Sequence, residues 1–284
     1  MKLFAWLCFS LVWLSANAKA DDIVWVGSDF PPMAMSQGEH AHQGYIDELY
    51  KFLKAASPQH NFTEQVVPWA RAMRLAQEGG PYCLISAFYT PERAEFLRFS
   101  EPYGYLLPIG LVIRADDQAK FAPFLTDQGR LKLDALLAHE RLVIGVTSDR
   151  SYGPFIDASL RVRLGSQAKN IYKAYQNEST KILVNMLAHK RFDYMLGYPS
   201  EAVFYESADA KLFFYQIEGN TQLLPGRLSC SKASVADQVF ADVAKIVTSQ
   251  ATAAVFQGAY ERWLPKYLLA AYRQQLADVP QLKP

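Results

Sequence analysis

Catalytic and cofactor signatures are sparse in this chain. It has no Cys-x-x-Cys pair, no Gly-x-Ser-x-Gly turn and no glycine-rich phosphate loop among its 15 glycines. Their absence removes the sequence grounds for a thioredoxin-like redox centre, a nucleophile-elbow hydrolase and a nucleotide-binding loop. The 28 acidic residues include no pair at a spacing that marks a general acid and base. Charge nearly cancels, at a formal +1, so nothing favours nucleic acid or an anionic membrane surface. Beyond the leader, no apolar run approaches the roughly 20 residues of a spanning helix. Low-complexity tracts and short internal repeats are missing as well.

The N-terminus, by contrast, is strongly patterned. Lys2, the apolar stretch Leu3 to Leu14, and Ala18-Lys19-Ala20 as a small-x-small site make Met1 to Ala20 a secretory signal peptide. The stretch is short for a transmembrane helix, and Cys8 lacks the preceding small residue of a lipoprotein site. Cleavage after Ala20 leaves 264 residues, with 27 basic against 28 acidic side chains and a net charge of −1. That length suits one large domain or two modest lobes. Of the three cysteines, Cys83 and Cys230 remain. An even count in an oxidising compartment favours a bridge, with two separate buried thiols as the alternative.

Ile23 to Val26 reads as a strand, Tyr45 to Ala55 as an amphipathic helix, Phe62 to Val67 as a strand, and Ala70 to Gln77 as a helix closed by Gly79-Gly80. Tyr82 to Phe88 is a short continuous apolar run, read as a buried parallel strand that completes a β-α-β-α-β unit. Tyr105 to Arg114 is a longer apolar run broken by Pro108, and Leu142 to Val146 begins a second set of alternating elements. In that set Ser179 caps a helix from Thr180 to His189, Tyr194 to Gly197 is a strand, and Pro199-Ser200 opens another helix. Helical segments follow at Val235 to Ser249 and Ala253 to Leu276. Together these imply an α/β protein of two lobes.

The segment after Tyr82 carries the chemistry. Thr90-Pro91 starts a helix, and Arg93 follows at the carboxyl edge of the sheet, where open α/β sheets bind ligands. Its planar fork suits a carboxylate or phosphate. The plain alternative is a surface ion pair of Arg93 with Glu92 or Glu95. Phe30, Trp69 and Tyr89 stand apart from the other aromatics because they flank loops at this edge. Tyr103 either packs a hinge or touches ligand.

The order of Asp29-Phe30-Pro31-Pro32, Gly44-Tyr45-Ile46-Asp47, Pro68-Trp69, Thr90-Pro91-Glu92-Arg93, Phe99-Ser100-Glu101-Pro102-Tyr103, Arg191-Phe192-Asp193 and Tyr260-Glu261-Arg262-Trp263-Leu264 resembles the periplasmic solute-binding proteins of family 3 over nearly all the mature chain. The resemblance implies a type 2 periplasmic-binding fold: each lobe a sheet flanked by helices, joined by two hinge crossovers near Tyr103 to Leu107 and Leu223 to Ser229. Lobe 1 would comprise 21–103 plus 230–284, and lobe 2 residues 104–229. It implies a monomer in the periplasm that closes on a small polar or anionic solute and is read by a membrane ABC permease or a periplasmic sensor domain. No cofactor, metal or nucleic acid is implied.

By the same resemblance Arg93 clamps a ligand carboxylate, Phe30 packs on the ligand, and Trp69, Ser86 and Phe88 border the pocket. The helix N-terminus at Arg150, Ser151 and Tyr152 closes over an anion. The family's chain path pairs Cys83 with Cys230 inside the first lobe. Amino-acid binders of the family place an aspartate where this chain has Tyr198, which holds no full negative charge at neutral pH. Glu201 is a nearby substitute, or else a surface helix glutamate. A periplasmic enzyme on the same scaffold, dehydratase-like, is the competing class. Glu39-His40-Ala41-His42 is read as a solvated loop in preference to a metal site.

Overall fold

The computed structural model of the chain describes residues 22–147, 150–165, 169–174, 179–207 and 211–279. The leader Met1 to Ala20 and the capping role of Ser179 lie outside the described residues. In chain order the first elements are β1 (Asp22–Gly27), α1 (Tyr45–Ala56), β2 (Asn61–Val66), α2 (Trp69–Glu78), β3 (Tyr82–Leu84), α3 (Pro91–Phe96), β4 (Leu97–Leu106) and β5 (Gly110–Arg114). Then come α4 (Gln118–Phe121), α5 (Leu133–Leu137), β6 (Ile144–Thr147), α6 (Pro154–Gly165), β7 (Ile171–Ala174), α7 (Ser179–Ala188), β8 (Tyr194–Gly197), α8 (Pro199–Phe204) and β9 (Leu212–Tyr215). The chain closes with β10 (Leu224–Ser231), α9 (Asp237–Val247), α10 (Gln250–Glu261) and α11 (Leu269–Ala277).

The strands form two five-stranded sheets, ordered β2-β1-β3-β10-β4 and β7-β6-β8-β5-β9. Each is built alike. A strand–helix–strand crossover returns the chain parallel to itself, so β1 runs parallel to β2 and β3, and β6 parallel to β7 and β8. The strands that travel between lobes enter from the opposite end, so β10 is antiparallel to β3 and β4, and β5 to β8 and β9. Both sheets are therefore mixed, where local alternation of elements predicts parallel ones.

The two hinge crossovers run along paired strands. β4 and β10 pair from Leu224 opposite Leu106 down to Ser231 opposite Leu97, with register shifts beside Arg227. The links between the sheets are the short stretch from Leu107 to Ile109 and the stretch from Gln216 to Leu223. Pro108 divides the apolar run Tyr105 to Arg114 between β4 and β5, since it has no N–H to give a ladder.

Two predicted elements are shorter than expected. β3 ends at Leu84 rather than Phe88, because side chains take the following carbonyls: the Tyr103 hydroxyl donates to Ile85 O at 2.7 Å and Arg93 Nη1 to Phe88 O at 2.8 Å. Tyr103 thus packs the hinge, nearly fully buried. The helix predicted from Ala253 to Leu276 begins earlier and breaks. Ser249 caps α10 through Thr252 N at 3.2 Å, and Pro265 interrupts the chain before α11.

The first lobe's core joins β1, β2, α1 and α10 through Trp25, Leu49, Leu53, Phe62, Phe256 and Tyr260. Within it Cys83 on β3 and Cys230 on β10 sit opposite each other in register and form a disulfide, with Cα atoms 4.0 Å apart. In the second lobe Arg114 is a buried tie. Its guanidinium donates to the carbonyls of Leu187 and Phe192 and pairs with Asp117 and Asp193. Asp193 accepts Val143 N at 2.9 Å. This is the structural work of the Arg191-Phe192-Asp193 segment.

Candidate solute-binding site between the sheets

Between the lobes Phe30 of the first meets Arg150 and Tyr198 of the second, while Arg93 and Trp69 contact each other on the first lobe. From the first lobe, Thr90 accepts Arg93 N at 3.2 Å as N-cap of α3 and so fixes Arg93. The half-buried Arg93 guanidinium donates to Phe88 O, and its carbon lies 5.7 Å from the Trp69 ring centroid. Trp69 is the first residue of α2, directly after Pro68. Burial draws the Arg93 pKa down, and Glu92 opposes that through its charge. Neither Glu92 nor Glu95 forms an ion pair with Arg93 among the described residues, so the surface-pair alternative is not what the structure contains. Phe88 serves the site through its carbonyl, while its ring packs partly buried against the first core.

The second lobe supplies Arg150, and it is densely engaged. Its Nη2 lies 3.2 Å from Glu201 Oε2, and its Nη1 lies 3.4 Å from Glu201 Oε1 and 3.1 Å from Thr180 Oγ1. The guanidinium carbon sits 5.4, 5.3 and 5.9 Å from the ring centroids of Phe30, Tyr152 and Tyr198. Phe30 belongs to the first lobe, so Arg150 bridges both. Burial alone would lower the Arg150 pKa, but the Glu201 charge and hydrogen bonds hold it above the ordinary guanidinium value. Burial likewise pushes the Tyr198 phenol up to about 12, with Arg150 pulling against it.

Two expectations fail here. Glu201 is no surface glutamate: its side chain is 2% exposed. It is held at the start of α8, where Tyr198-Pro199-Ser200-Glu201 places a carboxylate three residues after the cap and Oε2 accepts Tyr198 N at 2.7 Å. That spacing was the available signal; the partner Arg150, 51 residues away, left none. Nor is the Tyr152 N–H free to meet an anion. Tyr152 N donates to Asp157 Oδ1 at 2.8 Å, Ser151 Oγ donates to Asp157 Oδ2 at 2.6 Å, and α6 opens on Pro154. Asp157 thereby ties the turn to its own helix, and the buried Tyr152 phenol accepts Thr147 N at 2.8 Å.

Other contacts between the lobes went unread in the sequence. The buried Tyr45 phenol lies near Ser200, and Phe30 meets Tyr198 edge-on at 6.5 Å. His40 packs against Phe204 of the second lobe and Trp263 of the first, at 6.2 and 5.7 Å, so its loop is a lobe contact while the ring stays exposed. His42 has a positive φ of 59°, and its carbonyl accepts Lys51 Nζ at 2.6 Å. Ser86 borders an open pocket on the first lobe, with Asp29, Asp47, Tyr50 and Glu64. Tyr89 is exposed and meets Phe99 edge-on.

Two α/β lobes joined by a pair of antiparallel strands, with polar and aromatic groups converging between them, define a type 2 periplasmic-binding fold. The chain belongs to the bacterial extracellular solute-binding proteins, family 3, whose model matches residues 23–266. Family membership implies a periplasmic or extracellular location. Solved structures agree on the fold. The probable amino-acid ABC transporter extracellular-binding protein ytmK from Bacillus subtilis superposes with a TM-score of 0.60 at 17% identity, covering 87% of this chain and 99% of that one. A histidine kinase sensor domain with similarity to periplasmic binding proteins gives 0.60 at 14%, covering 86% and 96%. An ancestral arginine-binding protein bound to arginine gives 0.59 at 15%, covering 86% and 98%. At these identities the likeness concerns the fold alone. Comparison with curated protein sequences yields no significant match.

Proposed function

We propose that the exported chain, beginning at Asp21, binds a small carboxylate-bearing solute between its lobes as a monomer and is read in the closed state by a membrane partner. The observation that carries this reading is Arg93: a half-buried guanidinium, braced by Phe88 O and Trp69, with no ion pair among the described residues. A buried cation left without a counter-ion is costly, and an anionic ligand supplies one. Closure follows from ligand contacts to both lobes, which shift the population toward the closed form. The partner is an ABC permease or a sensor domain; the fold neighbours include a protein titled for each.

The test is a thermal-shift screen of the mature protein against amino acids, organic acids, polyamines and small peptides. A ligand at about a hundred times its Kd adds roughly 2.7 kcal/mol of stability. Stabilisation by a carboxylate without turnover supports the reading, whereas consumption of an organic acid would place the chain among enzymes on this scaffold. Intact mass of the exported protein checks the start at Asp21.

A further inference from the structure

The Glu201 carboxylate is saturated. Oε1 takes Thr180 Oγ1 at 3.0 Å and Arg150 Nη1 at 3.4 Å, and Oε2 takes Tyr198 N at 2.7 Å and Arg150 Nη2 at 3.2 Å. Those four donors fill the roughly four lone-pair sites that a carboxylate offers. Three ring faces plus a buried carboxylate are also the chemistry that recognises a cation, and all three centroids lie within about 6 Å of the Arg150 guanidinium. The chain therefore contains a cation box filled by its own side chain. Removing the occupant would strand a carboxylate that is 2% exposed, so the box empties in exchange for another cation or for a proton on Glu201.

Arg150 and Glu201 cancel, while Arg93 is a cation of the first lobe with no ion pair among the described residues. We propose that Arg150 is a built-in occupant of this cation box, so that the cleft takes an organic acid without an α-ammonium rather than a zwitterionic amino acid. This deepens the proposed carboxylate reading and rests on it for the ligand class; the box itself does not depend on it.

The experiment has two arms on the mature protein. In the first, Arg150→Ala is titrated with methylguanidinium. At about ten times its Kd it should raise the Tm of the variant by roughly 3 °C or more and leave the parent unmoved. A folded Arg150→Ala that does not respond, or a parent that responds equally, overturns the box. In the second arm the parent is titrated with matched pairs: 3-phenylpropionate and phenylalanine, hexanoate and norleucine, glutarate and glutamate. The acid of any pair that binds should be at least about tenfold tighter than its amino acid; equal or reversed affinities overturn the ligand class. A parent that binds no member of any pair defeats the carboxylate reading of Arg93 and the ligand class with it, while the first arm still decides the box. If Arg150→Ala does not fold with or without methylguanidinium, the matched pairs decide the proposal.

Discussion

Replacing both bridge cysteines, as Cys83→Ala with Cys230→Ala, isolates the contribution of chain closure to stability. The two residues are 147 apart in sequence and face each other on paired strands in the first core. Closing a loop of that length restrains the unfolded chain by about 5 kcal/mol in the chain-entropy model. The loop encloses the whole second sheet, which can stay folded while the first lobe opens. The flexible path then shortens to about 40 residues, and because the dependence is logarithmic the figure falls only to about 4 kcal/mol. Equilibrium urea unfolding of the oxidised parent and the double variant, followed by a first-lobe signal such as Trp25 fluorescence, should differ by about 4 to 5 kcal/mol. Each sulfur also leaves a small void, which adds to the loss. A difference below about 1 kcal/mol, or two free thiols on alkylation of the unreduced, denatured parent, would refute the reasoning.

Two further outcomes follow from the second lobe and its contact with the first. Burial works against ionised Asp117, but Lys120 and Arg114 outweigh it and hold its carboxyl below the usual value. Its contribution is therefore complete above the ordinary aspartate pKa of about 3.9 and is lost as pH falls through the lower folded value. Tm measured against pH should show Asp117→Asn well below the parent at pH 7, with the gap closing as the solution is acidified; a pH-independent gap contradicts this. Phe204→Ala removes the ring that meets His40 and Trp263 across the lobes. At about 0.5–1.5 kcal/mol for each aromatic pair, the open form should gain roughly tenfold in weight. Small-angle scattering without ligand should then give a larger radius of gyration than the parent, and an unchanged radius would show that this contact does not hold the lobes together.

Local signals carried much of the fold. The run from Tyr194 to Gly197 was legible because all four residues are buried and Pro199 starts the next helix. Tyr45 to Ala55 was legible because its apolar residues recur at helical spacing, with Leu49 and Leu53 buried. What local patterns could not show was pairing at a distance. The hinge read as two crossovers without their pairing, because nothing near Leu106 reveals that Leu224 lies opposite it. The run past Leu84 looked like strand because it is continuously apolar, but its carbonyls find side chains, Tyr103 and Arg93, rather than a neighbouring strand. The same limit governs the site. Trp69 and Arg93 were legible as neighbours of one sheet edge. The ion pair of Arg150 and Glu201 was not, since a charged residue after a strand and another at a helix start have no spacing that joins them.

The central claim is that Arg93 anchors the anionic group of the solute, and isothermal titration of Arg93→Ala against the carboxylate found by the screen tests it most directly. Losing one partner of a buried charge pair costs about 2 to 5 kcal/mol, so the variant should bind at least about thirtyfold more weakly. Its ligand-free Tm should stay close to the parent's, because Arg93 has no ion pair to lose among the described residues. An Arg93→Ala protein that is folded and binds as tightly as the parent would contradict the account, and would leave the solute to be held by other groups of the cleft.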